Sequence, residues 1–95
     1  MVYIVNYELR TADKDYTSLY NFLEHDFGRG SVHVLRDTWW VDLPDNQDVS
    51  SLADQIKNHL GEKDIFYIAK VFSGTIDGWL GRSTWDFYRD NRDKA

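Results

Sequence analysis

Tyr3-Ile4-Val5-Asn6-Tyr7-Glu8-Leu9 is an apolar strand that runs straight into a carboxylate. Successive side chains of a strand point to opposite faces, so Tyr3, Val5 and Tyr7 share one face and Ile4, Asn6 and Glu8 the other. The last strong strand, Asp64 to Phe72, has the same character: Ile65, Tyr67, Ala69 and Val71 oppose Phe66, Ile68, Lys70 and Phe72. Near-continuous apolar strands call for cover on both sides of the sheet.

Between these strands the pattern alternates. Arg10 to Lys14 is a polar loop, and from Asp15 the residues Tyr16, Leu19, Tyr20, Leu23 and Phe27 recur at helical spacing, with Asp15 as a cap and Gly28 and Gly30 as the stop. Ser31 to Leu35 reads as a strand and Thr38 to Leu43 as another. The Arg36-Asp37 break suggests a hairpin, or a single bulged strand, since the turn lacks the favoured glycine. After the loop Pro44 to Asp48, a second helix places Val49, Leu52, Ala53, Ile56 and Leu60 on one face and stops at Gly61. Gly74, Gly78 and Gly81 punctuate the stretch before Ser83-Thr84-Trp85-Asp86, a capping pattern for a short C-terminal helix.

The order β-α-β-β-α-β places the chain in the α+β class. It is the ferredoxin-like, or split β-α-β, arrangement, an antiparallel sheet with two helices on one face. At 95 residues the chain reads as one domain, 1–95, with 73–95 as a C-terminal interaction segment. Two helices can cover only one face, so a second subunit is the economical cover for the other, and a homodimer is expected.

Composition narrows the function classes. With no Cys, a thiolate metal site, a thiol nucleophile and a disulfide framework are all excluded, and the chain suits a reducing cytoplasm. No apolar run approaches the roughly 20 residues of a bilayer span, and no basic leader with a cleavage site is seen, so no membrane partner is expected. The net charge of −5, from 11 basic and 16 acidic residues, disfavours nucleic acid as a general partner, because phosphate binding needs clustered Lys and Arg. The one basic concentration, Arg82, Arg89, Arg92 and Lys94, is nearly cancelled by Asp86, Asp90 and Asp93. Aromatic residues make up 16% of the chain, more than a two-layer fold of this length usually needs, which points to a protein partner.

The opening strand, the Asp15-Tyr16 helix start, the Asp37-Thr38-Trp39 strand start and the Lys63-Asp64-Ile65-Phe66 strand entry together resemble the SinR-like small proteins of bacteria and phages. These in turn are similar to the CRISPR-associated endonuclease-two family, the small dimeric subunit of the spacer-acquisition complex. The similarity covers roughly residues 2 to 72 and its motifs are short and mostly structural. It implies a ferredoxin-like homodimer whose sheets face each other, with a C-terminal segment against the partner. In the nuclease family an Asp ends the first strand and holds a divalent ion beside its dimer mate; Glu8 stands at the matching position here. Glu keeps the oxygen ligands that Mg²⁺ requires, but its extra methylene displaces them. Arg10 is the nearest residue for orienting a phosphate.

Each candidate has a plainer reading. Glu8 is a metal-binding catalytic carboxylate, or a solvated strand end or interface salt bridge. Asn6 is a second oxygen ligand or a hydrogen-bonding interface residue. His25, His33 and His59 lack the spacing of a zinc motif, no Ser lies in a G-x-S-x-G turn, and neither phosphate-loop pattern occurs. Trp39, Trp40, Trp79 and Trp85 suggest base stacking, but Asp42 follows Trp40 and basic residues do not surround them. Trp39 reads as core or interface, and Trp79 and Trp85 as fasteners of the C-terminal segment; with Ile4 and Asn6 they form the expected interface. Three functions follow: a non-catalytic interaction or adaptor protein, a divergent Mg²⁺-dependent nuclease using Glu8 and Arg10, and an acidic phage or mobile-element protein that blocks the basic surface of a nucleic-acid-binding defence system.

Overall fold

β1 (Val2–Glu8) is an interior strand, paired antiparallel with β3 (Thr38–Asp42) on one side and with β4 (Ile65–Lys70) on the other. β2 (Ser31–Leu35) joins the far side of β3 and completes a four-stranded antiparallel sheet in the order β2-β3-β1-β4. In this computed structural model residues 1–44 and 46–92 are described; Asp45, which the sequence places in a loop, and Asp93 and Lys94 of the C-terminal charged stretch lie outside them. Helices α1 (Thr17–His25) and α2 (Val49–Lys57) follow β1 and β3, and α3 (Arg82–Asn91) follows β4. The architecture is α+β, and this strand order is compatible with the ferredoxin-like arrangement.

Local chemistry sets the element ends. The Asp15 carboxylate accepts from the Thr17 N–H and hydroxyl at 2.9 and 2.6 Å, although Tyr16 is the residue at the cap position itself. Asp48 caps α2 by accepting from the Ser50 N–H at 2.9 Å. The hairpin reading holds and the single bulged strand does not: Arg36-Asp37 turns β2 into β3, the two pair antiparallel, and the register shifts between His33 and Leu35 within that pair. The C-terminal helix begins earlier than the Ser83-Thr84-Trp85-Asp86 pattern indicates. Gly81 takes the cap position in extended conformation with no side-chain bond, so those residues lie inside α3.

One face of the sheet packs under α1 and α2. Tyr3, Val5 and Tyr7 of β1 and Trp39 and Val41 of β3 meet Leu19, Phe22 and Leu23 from α1 and Leu52 and Ile56 from α2. A fully buried aliphatic side chain of this kind contributes about 1.5–3 kcal/mol. Phe22 takes the buried place that helical spacing assigns to Tyr20, which is 39% exposed, because α1 turns its Leu19-Phe22-Leu23 stripe to the sheet. Trp39 is 6% exposed, a core residue of its own subunit.

On the other face, where a second subunit is the expected economical cover, much of the cover comes from the chain itself. The chain itself returns across the sheet through the glycine-punctuated stretch after β4, with Gly74 at φ +81°, and lays α3 over the β2 and β3 half. Val2, Trp40, Val71 and Tyr88 are buried there, with Ile4, Val32, Ile76, Leu80, Trp85 and Phe87 packed around them. Trp85 and Tyr88 each meet Trp40 edge-on with ring centroids 5.9 Å apart. Trp85 therefore fastens the segment, whereas Trp79 is fully exposed and fastens nothing within the subunit. Among the described residues no helix is long and apolar enough to cross a membrane.

Trp40 is the anchor of the α3 layer, so Trp40→Ala is expected to lower unfolding stability by about 3–5 kcal/mol, read from urea denaturation. Trp79→Ala should leave the urea midpoint unchanged. Equal effects of the two substitutions would contradict the assignment of α3 to the chain's own sheet.

Candidate functional site on the open half of the sheet

α3 leaves the β1 and β4 half of the second face uncovered. Ile65 is 49% exposed and Tyr67 57%, and Leu35, at the end of β2, is equally open. Pairing aligns Asn6 with Thr38 on one side and Tyr67 on the other, and the side chains follow the register. The Thr38 hydroxyl donates to Asn6 Oδ1 and Asn6 Nδ2 donates to the Tyr67 hydroxyl oxygen, each at 3.2 Å. This polar chain crosses three strands within an otherwise apolar surface. Asn6 is thus a hydrogen-bonding residue of the open face, with its carbonyl oxygen committed to Thr38.

Two hollows meet at Asn6 and Tyr67. A recess of about 240 Å³ lies at the end of β1, lined also by Tyr7, Glu8, Ile65 and Phe66. A groove of about 300 Å³ runs toward the C-terminal segment, with Ile4, Leu35 and Trp40 from the sheet facing Ile76 and Leu80. Beneath the recess, burial pushes the Tyr7 hydroxyl up to about 12, even though Trp39 Nε1 donates to it at 3.2 Å. Tyr7 is accordingly a neutral core group.

Glu8 ends β1 in solvent, where its carboxylate accepts from the Arg10 guanidinium at 2.5 Å. Both side chains are more than half exposed, so this pair adds little to stability. It also neutralises the two residues that a nuclease would need: the carboxylate faces a cation, and the guanidinium is turned to the carboxylate. The donor set does not suit Mg²⁺ within one subunit. Glu8 carries the Arg10 ion pair, Asn6 Oδ1 accepts from Thr38, and the nearby Asp64 carboxylate is filled by protein donors. Among the described residues no three of His, Asp and Glu come together as a metal site. The histidines sit apart: His33 stacks on Trp39 with centroids 4.4 Å apart, His59 stacks on Phe22 and contacts the Ser18 hydroxyl, and His25 lies beside Glu24.

Asp64 has a structural role that sequence reasoning missed. Its carboxylate accepts from the N–H groups of Arg10, Thr11 and Gly61 at 2.6, 3.0 and 2.6 Å, and from the Tyr16 hydroxyl at 2.7 Å. Partial burial raises its pKa, but the Tyr16 hydroxyl and the three backbone donors outweigh this and hold the carboxyl well below the usual range. The clasp joins the loop after β1, the start of α1 and the entry to β4. Gly61 has no room for a side chain, since a Cβ there would lie 2.4 Å from the Thr11 hydroxyl oxygen. The Lys63-Asp64-Ile65 motif was the available signal, but its donors come from remote positions.

Compared with known proteins, the chain matches no family model, no curated protein and no solved structure.

Asp64→Asn removes the charge that four donors serve and is expected to cost about 2–3 kcal/mol at neutral pH. Because the folded carboxyl is depressed, its contribution is fully present above the unfolded value near 3.8 and is lost as pH falls through the folded one. The stability gap between wild type and variant should therefore be constant at neutral pH and narrow below about pH 4, in urea titrations across pH.

Proposed function

We propose that this protein is a non-catalytic interaction module, a ferredoxin-like domain of SinR-like kinship that works in the cytoplasm as a homodimer and presents a docking surface to a further protein partner. The observation that carries this reading is the uncovered half-face, where Ile65 and Tyr67 stand open beside β1 while α3 and the segment before it bury Val2, Trp40 and Val71 on the same face. The polar chain Thr38-Asn6-Tyr67 gives that surface orientation without assembling a nucleophile, a base or a set of cation ligands. The ferredoxin-like assignment draws support from the strand order and from the two helices on one face.

A divergent nuclease built on Glu8 and Arg10 is the second reading, favoured only by the position of Glu8 on the rim of the recess at the end of β1. It requires Arg10 to leave Glu8 and a second Glu8 to arrive from another subunit.

Sedimentation velocity is expected to show a concentration-dependent dimer at about 50 µM protein, weakened in Tyr67→Lys, whose solvent-facing position spares the fold. A strict monomer would contradict the dimeric reading. Incubation with single- and double-stranded DNA or RNA in Mg²⁺ or Mn²⁺ should give no cleavage; cleavage that disappears in Glu8→Ala would replace this reading with the nuclease.

A further inference from the structure

We propose that the outer edge of β4 is a self-pairing seam, on which a second copy of this chain lays its own β4 antiparallel with Ile68 at the two-fold axis. This deepens the interaction-module reading, and depends on it, by naming both the partner and the strand that meets it.

The ladder shows which backbone groups are available. The Val71 N–H donates to the Val2 carbonyl at 2.9 Å, so Val2 and Val71 form a hydrogen-bonded pair. Hydrogen-bonded and non-hydrogen-bonded pairs alternate along an antiparallel ladder. With Tyr3 opposite Lys70 and Ile4 opposite Ala69, the backbones of Ile65, Tyr67 and Ala69 turn toward β1 and those of Phe66 and Ile68 turn outward. β4 is the last strand of the sheet on that side, and among the described residues no loop or helix backbone bonds to Phe66 or Ile68.

The two edges of the sheet differ. β2 is interrupted by a register shift between His33 and Leu35, and α3 packs beside it. A bulge and a covering element are the usual ways of blunting an edge. β4 has neither: it is regular over Ile65–Lys70, contains no proline, and its one charged residue, Lys70, stands at its end. Such an edge is a template for another strand.

The sequence of β4 suits its own copy better than a foreign strand. Centred on Ile68, the pairing sets Phe66 opposite the partner's Lys70, so side chains of like face meet and both helix layers stay on the same side of a continuous sheet. On the open face Tyr67 falls beside the partner's Ala69, a large group beside a small one, and Ile65 beside the partner's Val71. Charge selects the direction. The strand entry Glu62-Lys63-Asp64, which carries a net charge of −1, is brought to the end that carries Lys70, whose ammonium lies over the Phe72 ring at 5.3 Å. Parallel pairing would instead set Lys70 against the partner's Lys70. The 300 Å³ groove beside Leu35 is left open by this seam, available to a further protein.

The chain has no cysteine, so the register can be read by cross-linking. Tyr67 and the partner's Ala69 would be a non-hydrogen-bonded pair with Cα atoms about 4.5 Å apart, within disulfide range. An equimolar mixture of Tyr67→Cys and Ala69→Cys proteins, mildly oxidised, should give several-fold more disulfide-linked dimer than either variant alone. Circular dichroism checks that both variants fold, and sedimentation of the wild type is run alongside. A wild-type dimer without preferential cross-linking in the mixture overturns the β4 seam and leaves the interaction-module reading standing on another surface. A wild-type monomer at all concentrations overturns the seam and the dimer together, and leaves the edge to a foreign strand.

Discussion

β1 has no face that can be given to water along most of its length, and the rest of the molecule answers to that. Val2 and Val5 have no exposed surface and Tyr3 only 2%, although they point to opposite sides of the sheet. An interior strand of this kind must be flanked in the sheet plane and covered above and below. β3 and β4 flank it, α1 and α2 cover one side, and the segment after β4 has to cross to the other. That crossing brings Trp85 and Tyr88 onto Trp40 and makes a third layer from a helix of low overall hydrophobicity. The layer is too narrow to cover β4, and Ile65 and Tyr67 are left exposed.

The Asp64 clasp supports this arrangement from one end. By drawing in donors from the β1 loop, the start of α1 and the turn after α2, one carboxylate fixes the approach of β4 to β1 where Glu8 meets Ile65. A charged acceptor serves such a junction well, because three backbone N–H groups from two segments and the Tyr16 hydroxyl from a third converge there. The surface beside it is correspondingly firm: Asn6, Thr38 and Tyr67 are joined to one another across strands held in register. The proposed seam and the open groove both rest on this frame, one at the strand edge and the other on the face.

Glu8 shows how position and chemistry can separate. It lies at the strand end where its place in the sequence puts it, yet its nearest charged partner is Arg10, two residues away, and the pair closes on itself in solvent. Short-range pairing of this sort depends on loop direction after the strand, which side-chain spacing does not encode. Tyr67 is the converse case. Nothing in its own neighbourhood marks it, and it gains its role only because β4 aligns it with Asn6.

Period-two and helical patterning were legible because they are local: β1, the β2–β3 hairpin, β4 and the two helices on the first face all follow from which side chains share a side. Helix rotation was less legible, since Tyr20 and Phe22 are both aromatic and only packing against β1 and β3 selects Phe22 for the core. The chain's amino acids by themselves determine that this sheet is apolar on both faces, and that no thiol chemistry or phosphate loop is available. Only the tertiary structure decided who covers the second face and how far. That answer depends on where a glycine-rich segment lands after leaving β4, a long-range outcome of Trp40, Trp85 and Tyr88 meeting across more than forty residues of chain. It is this partial cover, built by the chain itself, that leaves Ile65, Tyr67 and the edge of β4 open.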